Sequence, residues 1–147
     1  MTESFRHKKS LGQHFLNSDI VPRWMCDAAA VTAGDTVLEI GPGTGVLTRE
    51  LLARGAQVLA IETDRRAIAV LRETFVNEIA AGQLRLEEAD ARELSLTSLG
   101  LCDHDFKIVA NIPYYLSGHL FRVCMEHPVQ PSDLVFLVQK EVAKRAA

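Results

Sequence analysis

Thr36-Val37-Leu38-Glu39-Ile40-Gly41-Pro42-Gly43-Thr44-Gly45 is the stretch on which the fold turns. Its first five residues are β-prone and largely apolar, a short strand that runs straight into a glycine cluster. Glycines at alternate positions allow a tight turn and let a ligand approach the backbone, because no Cβ stands in the way. A helix over 45–54 follows, with Val46, Leu47, Leu51 and Leu52 forming its apolar stripe and Gly55 placed to end it. The spacing is GxGxG with an acid, Glu39, two residues ahead of Gly41. It differs from the GxGxxG of nicotinamide and flavin binders. The plain reading of the glycines alone is an ordinary Gly/Pro-rich turn.

Outward from this junction the same alternation repeats. A second strand over 57–61 leads to a helix over 64–81, whose Ile68, Leu71, Phe75 and Ile79 are spaced by three or four, and Gly82 stops it. Leu84-Arg85-Leu86 alternates in the manner of an exposed outer strand, and 94–105 reads as an irregular connection. A fourth strand over 106–110, a helix over 116–126 and a fifth strand over 134–138 follow. Ahead of the first strand, Asn17 or Ser18 caps a helix that runs to about 31, with Pro22 tolerable in its first turns. The pattern predicts an α/β fold, a doubly wound, Rossmann-like parallel sheet with helices on both faces, in one domain over 1–147. Leu134-Val135-Phe136-Leu137-Val138 is apolar at every position, as for an interior strand buried on both faces. Only nine residues follow it, so the sheet is expected to be incomplete at its carboxyl end.

Composition narrows the function classes. Hydrophobic residues are 48% and charged residues 24% of 147, a globular balance that excludes collagen-like and low-complexity chains. No apolar run approaches the ~20 residues of a membrane-crossing helix, and the amino terminus lacks the apolar core of a secretory signal. Cys26, Cys102 and Cys124 form no CxxC pair, and the five histidines show no HExxH spacing, so neither a disulfide framework nor a metal is expected. Reduced thiols suit a cytoplasmic protein. The net charge of −3 is unevenly placed: Met1 to Arg23 holds four cations against two carboxylates, a net +2, which leaves −5 for the rest. Such a basic arm on an acidic body can meet phosphates, or can simply be a solvated terminus.

Three successive strand ends carry chemistry. Glu62 lies 21 residues beyond Gly41, where a nucleoside ribose sits in this topology; a carboxylate there accepts both ribose hydroxyls and repels a 2′-phosphate. Asp90 follows the third strand on the same edge and can accept a hydrogen bond from an adenine amino group. Taken alone, Glu62 is also a plausible helix-start acid and Asp90 a turn residue. Asn111-Ile112-Pro113-Tyr114-Tyr115 directly follows the fourth strand. An exocyclic amine on adenine is a poor nucleophile because its lone pair is delocalised into the ring. The Asn111 side-chain oxygen and a main-chain carbonyl at Ile112 or Pro113 can each accept one of its N–H bonds, favouring a pyramidal nitrogen. Tyr114 can stack on a flipped-out base, a contact of ~1–3 kcal/mol.

Together these motifs resemble the class I S-adenosylmethionine-dependent methyltransferases and, more narrowly, the ribosomal RNA adenine N6,N6-dimethyltransferase family. The resemblance runs from Lys8 to Arg145 and includes Lys9-Ser10-Leu11-Gly12-Gln13-His14-Phe15-Leu16 and Gln139-Lys140-Glu141-Val142. The opening segment and the Asn111 to Tyr115 run are its family-specific parts. It implies that His14 and Leu16, with Gln13 beside them, close over the methionine portion of the cofactor. Gly41, with Gly43 and Gly45, would meet the amino-acid moiety, Glu62 the ribose and Asp90 the adenine. Asn111 would lie between cofactor and target, with Pro113 and Tyr114 completing the catalytic set; Arg6, Lys8, Lys9 and Tyr115 would touch RNA.

The implied reaction is dimethylation of adenosines in small-subunit ribosomal RNA within a pre-30S particle, with S-adenosylhomocysteine as product. The family continues with further strands and a small helical RNA-holding domain, so the chain reads as the cofactor-binding catalytic domain without them, a monomer once the sheet is complete. Two other readings stand beside this one. A DNA N6-adenine methyltransferase usually has two prolines before the aromatic residue. An RNA-binding or ribosome-assembly protein could keep the fold without turnover.

Overall fold

The computed structural model describes residues 19–112 and 114–137, with the backbone alone at Tyr114. Helix α1 (Ile20–Ala28) leads into β1 (Thr36–Ile40), α2 (Val46–Ala53), β2 (Gln57–Glu62), α3 (Arg65–Thr74), α4 (Val76–Ala80) and β3 (Leu84–Glu88). A 3-10 turn (Ala91–Glu93), β4 (Lys107–Asn111), α5 (Tyr114–Glu126) and β5 (Asp133–Leu137) complete the described part. All described strand pairs are parallel and their order is β3-β2-β1-β4-β5. The order reverses between β1 and β4, which opens a crevice outside the carboxyl ends of those two strands.

Successive side chains of a strand point to opposite faces, and each face of the sheet builds its own core. Val37, Val58, Leu84 and Val109 pack with Met25 and Cys26 of α1, Leu47 and Leu51 of α2, and Leu71 and Phe75. Leu38, Ile40, Leu59, Ile61 and Ile108 pack on the other face with Phe106, Leu96, and Leu120 and Cys124 of α5. Burial holds both inner thiols neutral, pushing Cys26 up to about 12 and Cys124 to about 11. At the amino end of the sheet the Lys107 ammonium donates to the carbonyls of Ala29 and Ala30 at 2.7 and 2.8 Å and pairs with Asp35 at 3.2 Å. It thereby ties the end of α1 to β4.

Several boundaries differ from the expectations. Helix α1 stops at Ala28 because Ala30 turns left-handed (φ 51) and the Val31 N–H returns to the Cys26 carbonyl. The helix expected over 64–81 breaks at Phe75 (φ −113, ψ 34) into α3 and α4, although the apolar spacing runs on through the break. Strand β4 lies one residue later than expected and includes Asn111; α5 begins at Tyr114 rather than Leu116. Strand β3 is the outer strand foreseen. Every residue of β5 is only half-buried, not enclosed on both faces. It pairs with β4 alone among the described residues, while Val135 and Leu137 meet the α1 side and Phe136 lies 4.8 Å from Phe121 of α5. Val138, counted with this strand in the sequence, lies outside the described residues.

Candidate active site

Parallel register brings the informative strand ends to one edge. Ile40 stands beside Ile61 and Ala110, and Glu62 beside Glu88. The chain leaves β1 into a loop in which Gly41, Gly43 and Gly45 all take positive φ (70, 58 and 88). Two of these need glycine for different reasons. At Gly45 a Cβ would come within 2.7 Å of Phe75 Cε2 and 2.9 Å of Leu71 Cδ2, so the loop lies directly on α3 and its end. At Gly41 the nearest neighbour of a Cβ among the described residues would be the Asn111 carbonyl oxygen, at an ordinary contact distance of 3.9 Å. Gly41 and Asn111 therefore face each other across the switch point between β1 and β4.

Glu62, the last residue of β2, closes over this loop. Its Oε1 accepts the Gly43 N–H at 3.1 Å, and its Oε2 accepts the N–H groups of Thr63 at 2.8 Å and Asp64 at 3.1 Å. Among the described residues three donors occupy three of its four acceptor positions, so one remains. Asp90 caps the 3-10 turn after β3 and accepts the Arg92 backbone N–H at 2.9 Å. Its carboxylate is also held by the Arg92 guanidinium, Nη2 to Oδ2 at 2.7 Å and Nε to both oxygens at 3.1 Å. Those hydrogen bonds hold the Asp90 carboxyl down at about 2. Asn111 is half-buried, Ile112 is buried with its N–H donating to the Leu137 carbonyl at 3.3 Å, and Tyr115 is 70% exposed.

Glu62, Asp90, Asn111 and the three glycines thus share one edge, as the sequence suggested. Arg6, Lys8, Lys9, Gln13, His14, Leu16, Pro113 and the Tyr114 side chain lie outside the description. Two participants were not among the expected site residues. Glu39 is 1% exposed beneath the glycine loop; its Oε2 accepts the Thr48 hydroxyl at 2.6 Å and its Oε1 has no partner among the described residues. Burial pushes its carboxyl up to about 8, with the Glu62 charge adding to the rise and the Thr48 hydrogen bond opposing it. An acid at an inward position of the run Thr36 to Ile40 was the available signal. Arg92 offered none, since an exposed arginine two residues past Asp90 is unremarkable in a sequence.

A parallel sheet with a glycine loop after its first strand and polar side chains gathered where the strand order reverses has the Rossmann-like methyltransferase fold. Solved structures agree. A dimethyladenosine transferase from Plasmodium falciparum superposes with a TM-score of 0.70 at 32% identity, over 85% of this chain and 43% of that one. The 23S rRNA methyltransferase ErmE gives 0.72 at 27% identity, over 87% and 49%. Ribosomal RNA small subunit methyltransferase A of Dehalococcoides mccartyi is 40% identical over 141 residues, covering 96% of this chain and 47% of that protein. Its Caulobacter vibrioides counterpart is 42% identical over 138 residues, covering 94% and 52%. The family model "Ribosomal RNA adenine dimethylase" matches residues 4–147. The chain belongs to the ribosomal RNA adenine dimethylase family, and it spans about half the length of the curated relatives it matches.

Proposed function

We propose that the chain binds S-adenosylmethionine at the carboxyl edge of its sheet and takes part in methyl transfer to N6 of adenosines in small-subunit ribosomal RNA, in the cytoplasm. The observation that carries this reading is the facing of Gly41 and Asn111 across the switch point, with Glu62 and Asp90 on the flanking strand ends. The residues fit the cofactor: among the described residues nothing comes closer than 3.9 Å to a Cβ at Gly41, Glu62 keeps an acceptor position, and Asp90 gains one when the shared Arg92 Nε–H settles on one oxygen. Glu62 takes one ribose hydroxyl on that position; taking the second requires Gly43 to release Oε1.

When bound, the cofactor supplies a methyl carbon made electrophilic by its sulfonium. Asn111 and the carbonyl of Ile112 or Pro113 accept the two N6–H bonds of the target and aim the nitrogen lone pair. Held by the glycine loop, Glu62 and Asp90, the cofactor would give up that methyl group to N6 and keep the bonding electrons on its sulfur. The alkylated nitrogen then loses its proton to water, so no strong base is needed beforehand. Orientation of this kind supplies ~7–11 kcal/mol of the acceleration. Tyr114 stacks on the base, His14 and Leu16 close over the methionine part, and Arg6, Lys8, Lys9 and Tyr115 meet the RNA.

Tritiated methyl transfer tests the reading, with undermethylated small ribosomal subunits and duplex DNA as acceptors and cofactor affinity measured by calorimetry alongside. Label in subunit adenosines, with cofactor binding weakened by Glu62→Ala, is expected. Label in DNA would replace the substrate class. Subunit binding without label would make the protein an assembly factor, and absence of cofactor binding by the folded chain would overturn the reading.

A further inference from the structure

We propose that Arg92 is a positioning residue for adenine recognition: its guanidinium fork fixes the Asp90 carboxylate in a single orientation toward the cofactor's adenine. This rests on the reading of Asp90 as the partner of the cofactor's adenine. A carboxylate at the start of a 3-10 turn can rotate about its terminal bond, and a rotating acceptor must be ordered by the ligand amine it binds, which weakens that contact. Here rotation is stopped from two sides. The Arg92 backbone N–H holds Oδ1 at 2.9 Å, and the guanidinium spans both oxygens, 2.7 Å from Nη2 to Oδ2 and 3.1 Å from Nε to each.

The three N–H donors of Arg92 make four hydrogen bonds to Asp90, Nε being shared between the two oxygens at 3.1 Å, and that shared bond yields a position to the single N–H that an adenine 6-amino group directs outward when Nε settles on one oxygen. The turn itself is braced from α5, where His119 Nε2 lies 3.1 Å from the Arg92 carbonyl oxygen and, as the Nε2–H tautomer, donates to it. The Arg92 side chain is 65% exposed, so the fork is not a by-product of core packing. A planar fork matches a carboxylate in one orientation only, which a point-charge lysine does not do.

The affinities of the 147-residue chain for S-adenosylhomocysteine and S-inosylhomocysteine test this, because the inosyl ligand has a 6-oxo group where the adenosyl ligand has its amine. The unaltered chain is expected to prefer the adenosyl ligand and Asp90→Asn to lose that preference. Arg92→Ala is expected to weaken the adenosyl ligand by about three- to tenfold, the scale of one ordinary hydrogen bond, without weakening the inosyl ligand. Equal loss of both ligands in Arg92→Ala, or an unchanged preference while Asp90→Asn loses it, would overturn the role of Arg92. If Asp90→Asn keeps the full preference, the adenine reading of Asp90 fails and takes the inference with it.

Discussion

The Thr48 hydroxyl donates to Oε2 of Glu39 at 2.6 Å inside the core, which joins the carboxyl end of β1 to the first turn of α2 beneath the glycine loop. The other carboxyl oxygen of Glu39 has no partner among the described residues, and the side chain is 1% exposed. A carboxyl group in that position favours its neutral form, because desolvation penalises the charge more than one hydroxyl can compensate. The loop that holds three glycines in left-handed conformations is therefore anchored from below by an acid that is largely uncharged at neutral pH.

Stability should consequently fall as pH rises through neutrality. Glu39 titrates near its ordinary value of 4.5 when unfolded and at about 8 when folded. The folded chain binds the extra proton between those values, so this contribution is fully present below about 4.5 and is lost as pH climbs through 8. Asp35 and Asp90 are shifted down and act only at more acid pH. Thermal melts should show Tm decreasing from pH 5 to 8.5, and Glu39→Gln, which stays neutral, should flatten that slope. An equal slope in both proteins would assign it elsewhere.

Thr48→Val keeps the volume and removes the donor. The Glu39 carboxyl then has no partner at either oxygen, a loss of about 1–3 kcal/mol. Thr48→Ser retains the hydroxyl and should cost less than Thr48→Val. Urea unfolding of the two variants measures the difference directly.

Much of the frame was legible because strand and helix periods differ so plainly. Thr36 to Ile40 was found to the residue, since a β-prone run ending in glycine has few alternatives. The break at Phe75 was not legible, because Ile68, Leu71, Phe75 and Ile79 keep helical spacing across it and the cause is tertiary: the Phe75 ring packs under Gly45. Glu62 and Asp90 could be placed at strand ends from spacing alone. The backbone N–H groups that occupy most of Glu62, and the guanidinium fork on Asp90, depend on loop geometry that spacing does not encode.

The two ends of the glycine loop should respond differently to alanine. Gly45→Ala brings a methyl group to 2.7 Å from the Phe75 ring and 2.9 Å from Leu71, both core residues, at a φ of 88. Left-handed strain of about 1–2 kcal/mol adds to about 1–3 kcal/mol of overpacking, so global stability should drop clearly. Gly41→Ala carries the strain without the clash, its nearest contact being 3.9 Å away. It should lose less stability, while the methyl stands where the proposed cofactor approaches the loop. Chemical unfolding and cofactor calorimetry on both variants should therefore rank them in opposite orders.

Asn111→Ala separates transfer from binding. Asn111 ends β4 half-buried, its backbone pairs in register with Leu137, and its carbonyl faces Gly41, so the strand and crevice persist without the side chain. What disappears is one acceptor for the target amine. Loss of a single preorganised hydrogen-bonding group at a reacting centre costs about 10²–10³ in kcat. Cofactor affinity, shared among the glycine loop, Glu62 and Asp90, should change by less than about tenfold. Single-turnover methyl transfer at saturating cofactor reads the first quantity and calorimetry the second. A variant that lost both equally would make Asn111 a cofactor ligand rather than the group that aims the nitrogen.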